Sequence, residues 1–178
     1  MRAERAAGTG VTTRPPRDAR RVLKHALDRV VAAVGLLVTA PLVLGVALAL
    51  RVHGGPVLAR EHRIGESGDA VTLLSFAITD EMCRARGWRL LAGVGTSALP
   101  QLWNVLRGDL SVVGPRPRPD GWPAPPARPG LTGPAQLRQL DEPIESSEQL
   151  ALDDEYARAW SLALDARIVG RTLLRFLR

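Results

Sequence analysis

The feature that most constrains this chain is an uncharged stretch of 21 residues, Val30 to Leu50, reading VVAAVGLLVTAPLVLGVALAL. As a helix it is long enough to cross the hydrocarbon of a bilayer. No polar face interrupts it, so it does not read as the amphipathic helix of a soluble core. Its charged flank starts far from Met1 and its apolar part is long, which argues against a cleaved signal peptide. Arg20, Arg21, Lys24 and Arg29 precede the run and Arg51 follows it, so charge gives no vote for a through-membrane orientation. Pro41, near the middle, lacks the N–H that a helix interior needs, and its ring crowds the preceding turn. A break at Pro41 would let the segment bend and return to the face it entered, placing Arg29 and Arg51 on one side.

Around this segment the chain divides into three parts. Residues 1–20 hold Arg, Gly, Thr and Pro with few large apolar side chains, and read as a disordered basic tail. Residues 21–52 form the membrane segment, and residues 53–178 form one small domain. In that domain HGGPVLAREHRIGESGDAVTLLSFAI predicts two short strands around glycine turns. SALPQLWNVLRG predicts a helix with Ser97 as N-cap, Pro100 in the first turn and Gly108 as the stop. Residues 115–134 hold eight prolines and predict a stiff irregular loop. From about Ser147 to Arg178 the sequence predicts a long helix broken near Gly170. Arg167, Arg171, Arg175 and Arg178 share one of its faces, beside an apolar face, as suits an amphipathic helix lying among lipid headgroups. The fold class is therefore α+β and mostly helical.

Charge narrows the chemistry. Net charge is +6, and Lys24 is the one lysine among 24 basic residues. Arginine favours phosphate because its planar fork donates paired hydrogen bonds and keeps its proton, although a general replacement of lysine by arginine would give the same composition. Cys83 is the single cysteine, so no intrachain disulfide can form, and no Cys/His cluster offers a metal site. His25, His53 and His62 are too scattered to suggest one.

Several motifs occur in a fixed order. Lys24 and Asp28 precede the apolar run with Gly35 and Pro41. Gly55-Pro56-Val57, Arg63-x-Gly65-x-x-Gly68 and LPQLWNVLRGDLS (residues 99–111) follow, then Val113-Gly114-Pro115-Arg116-Pro117, Arg128-Pro129-Gly130-Leu131-Thr132-Gly133 and Trp160-Ser161-Leu162-x-Leu164-Asp165. In this order they resemble the bacterial polyprenyl-phosphate glycosyl-1-phosphate transferases, over most of residues 22–174. The resemblance implies a monotopic membrane protein: a re-entrant helix broken at Pro41, a small catalytic domain on the cytoplasmic face of the inner membrane, and interfacial helices. It also implies a nucleotide-diphosphate sugar donor, a polyprenyl-phosphate acceptor, membrane lipid and Mg²⁺, with no nucleic acid. A basic surface or nucleic-acid binder outside the family would leave LPQLWNVLRGD unexplained.

Moving a sugar phosphate between phosphates needs a nucleophile, a cation over the anionic oxygens, and donors that hold the phosphates. In the family an Asp-Glu pair directly before LPQLWN supplies the attacking carboxylate and the metal site. Here those positions are Ser97 and Ala98, so the Mg²⁺ ligands are missing. The family's Lys-Phe-Arg is Ser75-Phe76-Ala77, which removes two cations. Asp80 and Glu81 form an acidic pair elsewhere; this pair, Asp141-Glu142 and Asp153-Asp154-Glu155 read first as solvated faces. Arg116, held between two prolines, is the best remaining phosphate donor, followed by Arg63 and Arg128. Arg158 and Asp165 read as a structural ion pair. Two readings follow: a catalytically degenerate member that binds membrane, ligand or an unknown protein partner, or an active transferase with its carboxylates relocated to Asp80 and Glu81. Three losses at the chemical centre against intact surrounding motifs favour the first.

Overall fold

The structure, a computed structural model, describes residues 19–84, 86–88 and 98–176. The expected tail, apart from Ala19 and Arg20, and the expected cap Ser97 lie outside the described residues. Ala19 and Arg20 belong to the first helix, α1 (Ala19–Val52), which at 1.5 Å per residue is about 51 Å long. It is helical on both sides of Pro41 and assigned as one element through it. The secondary structure is therefore not interrupted where a break was expected. Thr39 Oγ1 donates to the Gly35 carbonyl at 2.7 Å, a side-chain bond of the kind that accompanies proline in apolar helices.

Burial of α1 follows a narrow stripe. Lys24, Asp28 and Ala32 are buried at steps of four, as are Val46 and Leu50, so one face meets the rest of the chain. The other faces leave Leu37, Val38, Leu44 and Leu48 at least 66% exposed. Only 11% of the most apolar 18-residue window is buried, which separates α1 from the core helix of a soluble protein. Transferring that much apolar surface out of water is strongly favourable, so α1 is compatible with membrane association.

The two expected strands pair as an antiparallel hairpin, β1 (Leu58–Ile64) with β2 (Ala70–Phe76), registered Leu58 to Phe76 and Ile64 to Ala70. Helix α2 (Gln101–Arg107) starts behind Pro100, not Ser97, with no side-chain cap bond. It ends at Gly108, whose φ of 92° is a left-handed conformation suited to glycine. The next element, β3 (Ser111–Val113), pairs in parallel with β4 (Gly130–Thr132), so the proline-rich stretch is irregular except where it supplies β4. Three further helices close the fold: α3 (Pro134–Asp141), α4 (Ser146–Ala159) and α5 (Leu162–Phe176).

The expected long C-terminal helix breaks at Trp160-Ser161, ten residues before Gly170. Trp160 leaves helical geometry (φ −52°, ψ 133°) and its indole N–H donates to Asp165 at 3.1 Å. Ser161 then caps α5, its hydroxyl accepting from the Leu164 N–H at 3.1 Å. Gly170 has open space around it inside α5, so nothing forces a break there.

One core joins α1 to the rest: Ala32, Leu73, Leu102, Val105 and Leu110 pack together, with Gly35 of α1 close enough that an added Cβ would lie 3.3 Å from Leu102. A second holds Val46, Leu50, Phe76 and Trp88. Leu99 packs against both. Val113, Tyr156 and Ile168 form a third.

Candidate functional site

The most specific motif proves to be a structural clamp. Asn104 is 1% exposed. Its side chain behaves as an extra strand residue beside β2, accepting from Leu74 N–H at 3.0 Å and donating to the Thr72 carbonyl at 2.7 Å. Its own carbonyl accepts from Gly108, Asp109 and Leu110, turning the chain into β3. The Asn, Gly and Asp of LPQLWNVLRGD thus fix α2 to the hairpin, and Asp109 pairs with Arg107 at 3.4 Å.

The Lys24…Asp28 and Trp160…Asp165 motifs meet across 141 residues. Lys24 Nζ lies 2.6 Å from Asp165 and donates to the Val113 carbonyl at 3.0 Å. Tyr156 donates its hydroxyl to Asp165 at 2.7 Å, and Ser111 donates to Asp28 at 2.5 Å. Burial, then the hydrogen bond to Asp165 and that carboxylate's charge, push the Tyr156 hydroxyl well above its ordinary pKa of 10. Asp165 is therefore the partner of Lys24, not of Arg158, which donates to the Asp154 carbonyl instead.

Near the expected chemical centre the surroundings are apolar. Ser75 and Ala77, where the family resemblance places cations, line a cavity of about 550 Å³ with Leu50, His53, Pro56, Phe76, Ile78 and Met82. Ala98 is half-buried and directly precedes Leu99, which packs on the Phe76 cluster. An alanine methyl group offers Mg²⁺ no oxygen, so this position does not fit the ion. Asp80 and Glu81 are exposed at the end of the hairpin and do not line the cavity. Among the described residues no three His, Cys, Asp or Glu side chains are grouped to hold a metal.

The three candidate phosphate arginines are not brought together in one cavity. Arg63 is paired with Glu61 on β1. Arg116 donates from its guanidinium to Gln139, and its backbone N–H donates to Asp153 at 3.3 Å. Arg128 lines a crevice beside α1 with Arg21, His25 and Glu66; Arg63 and Arg116 do not.

Sequence reasoning missed a buried pair. Asp153, expected on a solvated face, is fully buried against Arg118, with side chains 0% and 2% exposed and 3.3 Å apart. Arg118 also donates to the Pro123 and Ala124 carbonyls, and its own carbonyl accepts from Ile64. Burial raises the Asp153 carboxyl above its ordinary value, opposed by the Arg116 N–H and by Arg118. The pair ties the proline-rich loop to α4 and to the hairpin.

The backbone around these motifs has known relatives. The family model described as bacterial sugar transferase matches residues 19–178. A UDP-glucose:undecaprenyl-phosphate glucose-1-phosphate transferase of Caulobacter vibrioides is 36% identical, over 92% of this chain and 74% of its own length. The exopolysaccharide production protein PSS of Rhizobium leguminosarum bv. phaseoli is 32% identical, over 86% of this chain and 94% of its own. A UDP-glucose:undecaprenyl-phosphate glucose-1-phosphate transferase of Escherichia coli K12 is 29% identical, over 87% of this chain but 40% of its own. With the family model matching from α1 through α5, and a relative 36% identical over 92% of the chain, this protein belongs to the bacterial sugar transferase family.

Proposed function

We propose that this chain is a catalytically degenerate sugar-1-phosphate transferase that binds the family's ligands at the membrane without transferring sugar phosphate. The ligands carried over from its relatives' names are a UDP-sugar and undecaprenyl phosphate. The observation that carries the reading is the chemistry missing from the motif positions: Ser97 and Ala98 stand in the sequence where the family has its acidic pair, and Ser75 and Ala77, which line the apolar cavity, where it has its cations. Without a carboxylate there is neither a nucleophile of the family's kind nor a metal ligand. Residual ligand affinity rests on arginine, first Arg116, then Arg63; Arg128 lies in a different crevice.

A transfer assay with purified protein in detergent, radiolabelled UDP-sugars, undecaprenyl phosphate and Mg²⁺ is expected to show no transfer. Arg116→Ala is expected to weaken UDP-sugar binding by roughly 1.5–3 kcal/mol, the range for a hydrogen bond to a charged group. Restoring the pair with Ser97→Asp and Ala98→Glu should give weak activity at most, because Ser75 and Ala77 still supply no cations. Robust wild-type turnover lost on changing Asp80 or Glu81 would overturn the degenerate reading and establish relocated carboxylates.

The same proposal includes topology. Residues 21–52 anchor the chain and residues 53–178 lie on the cytoplasmic face of the inner membrane, with both ends of α1 on that side and a bend at Pro41. What supports this is that Lys24 and Asp28 near one end, and Val46 and Leu50 near the other, pack against the same small domain. Along α5, exposed Arg167 and Arg171 beside exposed Leu173 and Leu174 suit the headgroup layer. In a Cys83→Ser background, Val22→Cys and His53→Cys should both be labelled from the cytoplasmic side of the cell. Labelling from opposite sides would end the re-entrant reading.

A further inference from the structure

Two arginines from distant parts of the chain converge over one glycine. A Cβ built on Gly108 would lie 2.8 Å from Arg29 Nη2 and 3.8 Å from Arg128 Nη1. The missing side chain of Gly108 therefore leaves the room in which both guanidinium groups sit. Neither arginine has an ion-pair or hydrogen-bond partner among the described residues. The nearby carboxylates do not neutralise them: Asp109 is held by Arg107 and Asn104, and Glu66, on the crevice wall beside Arg128, makes no ion pair among the described residues. Arg21 lines the same crevice, and so does His25, one turn before Arg29, whose Nδ1 is buried without a partner. Like charges held this close repel unless an anion lies between them.

The depth of the site selects the anion. Arg29 is the last charged residue before the 21-residue uncharged run, so in the membrane topology proposed above its head lies where α1 leaves the aqueous phase. On the same helical face below it come Ala33 and Leu37, both exposed, Leu37 by 77%. That surface suits an acyl chain, and the paired forks above it suit a phosphate with free oxygens. We propose that Arg29 and Arg128, with Gly108 as floor and His25 and Arg21 at the side, form a binding site for the phosphodiester headgroup of an anionic bilayer phospholipid. This site is separate from the Ser75–Ala77 cavity and holds whether or not transfer chemistry survives.

The test uses the full chain in neutral detergent micelles, with melting followed by tryptophan fluorescence. The probes are phosphatidylglycerol, undecaprenyl phosphate and inorganic phosphate, each titrated separately. Phosphatidylglycerol is expected to raise the Tm of the wild type, and the apparent affinity should fall about tenfold or more in Arg29→Gln/Arg128→Gln, the scale of losing charge-assisted bonds. Arg60→Gln, an exposed arginine on β1, should behave as wild type. Without lipid the double variant should be at least as stable as wild type, since it loses repulsion and no internal partner. If it does not fold, Arg128→Gln alone carries the comparison. Equal phosphatidylglycerol affinity in wild type and variant would overturn the site. So would equal stabilisation by inorganic phosphate, which would make it a soluble-anion site. Stabilisation by undecaprenyl phosphate without any by phosphatidylglycerol would overturn the bilayer-lipid assignment and give the site to the carrier.

Discussion

Asp153→Ala is expected to destabilise the protein by about 3–5 kcal/mol, the usual cost of stranding one partner of a buried ion pair. Arg118 is 2% exposed and cannot turn to water without unpacking the loop that holds it. The Pro123 and Ala124 carbonyls would stay in place as acceptors, but they carry no formal charge. Denaturant unfolding in detergent should show a lower midpoint with an unchanged slope. Arg118→Met with Asp153→Leu should recover much of the loss, because it removes both charges together. A cost below about 1 kcal/mol for Asp153→Ala would mean that the pair is solvated, as exposed pairs have that size. The sign of the pH dependence also follows. Burial raises the Asp153 carboxyl above its ordinary 3.8, so the folded chain holds that proton more tightly than the unfolded one. Its contribution to stability grows as pH falls through the raised value towards 3.8 and is smallest at neutral pH. Acid unfolding, where it occurs, must be driven by other groups.

Gly130→Ala should be at least as damaging, by a different route. Here β3 and β4 approach backbone on backbone: a Cβ at Gly130 would lie 2.1 Å from the Gly114 nitrogen and 2.6 Å from the Thr132 carbonyl oxygen. A Cβ at Gly114 would lie 2.3 Å from the Arg128 carbonyl oxygen. Side chains can move aside for an extra methyl group, but paired strands must separate. We expect a loss of about 3 kcal/mol or more, read as a fall in Tm, together with release of Arg116 and Arg128 from their positions on either side of the crossing. Gly170→Ala is the control. It has nothing within 4 Å and sits inside α5, so it should stabilise by about 0.5–1 kcal/mol through helix propensity alone. Similar melting temperatures for Gly130→Ala and wild type would show that the strands are not packed this closely.

Legibility in the sequence depended on whether a signal was local. The length and uniform apolarity of residues 30–50, the turn glycines between β1 and β2, and the Gly108 stop each act within a few residues, and all three elements were legible. The acidic run Asp153-Asp154-Glu155 misled because α4 has few apolar residues, so its inward face is built from Asp153 and Tyr156. Nothing in hydropathy distinguishes that face from a wet one, and the partner, Arg118, lies 35 residues away in a proline-rich loop. Spacing gave some help, since Asp153 and Tyr156 are three apart and share a helical face. The break at Trp160 has local partners, the indole bond to Asp165 five residues on and the Ser161 cap, so Ser161, a good N-cap residue, was the signal that could have found it. At the candidate site, the substitutions at Ser75, Ala77, Ser97 and Ala98 were legible residue by residue. The apolar cavity around Ser75 and Ala77 was not, because its walls come from α1, β1 and β2 at once.

The bond between Lys24 and Asp165 also orders events in time. Translation delivers α1 before α5, with its lysine and aspartate already on the face that will be buried. Until α5 is made, Lys24 has its helical neighbour Asp28, 3.8 Å away in the finished fold, but not the carboxylate that completes its burial. That carboxylate is 141 residues further on. Long-range closures of this kind are late steps, since the chain must be looped before the contact is rewarded. The helix can form early, but its polar end can take its final seat only when α5 arrives. A chain that stops before residue 165 therefore leaves Lys24 with Asp28 and the Val113 carbonyl but without the carboxylate and the α5 packing that complete its seat.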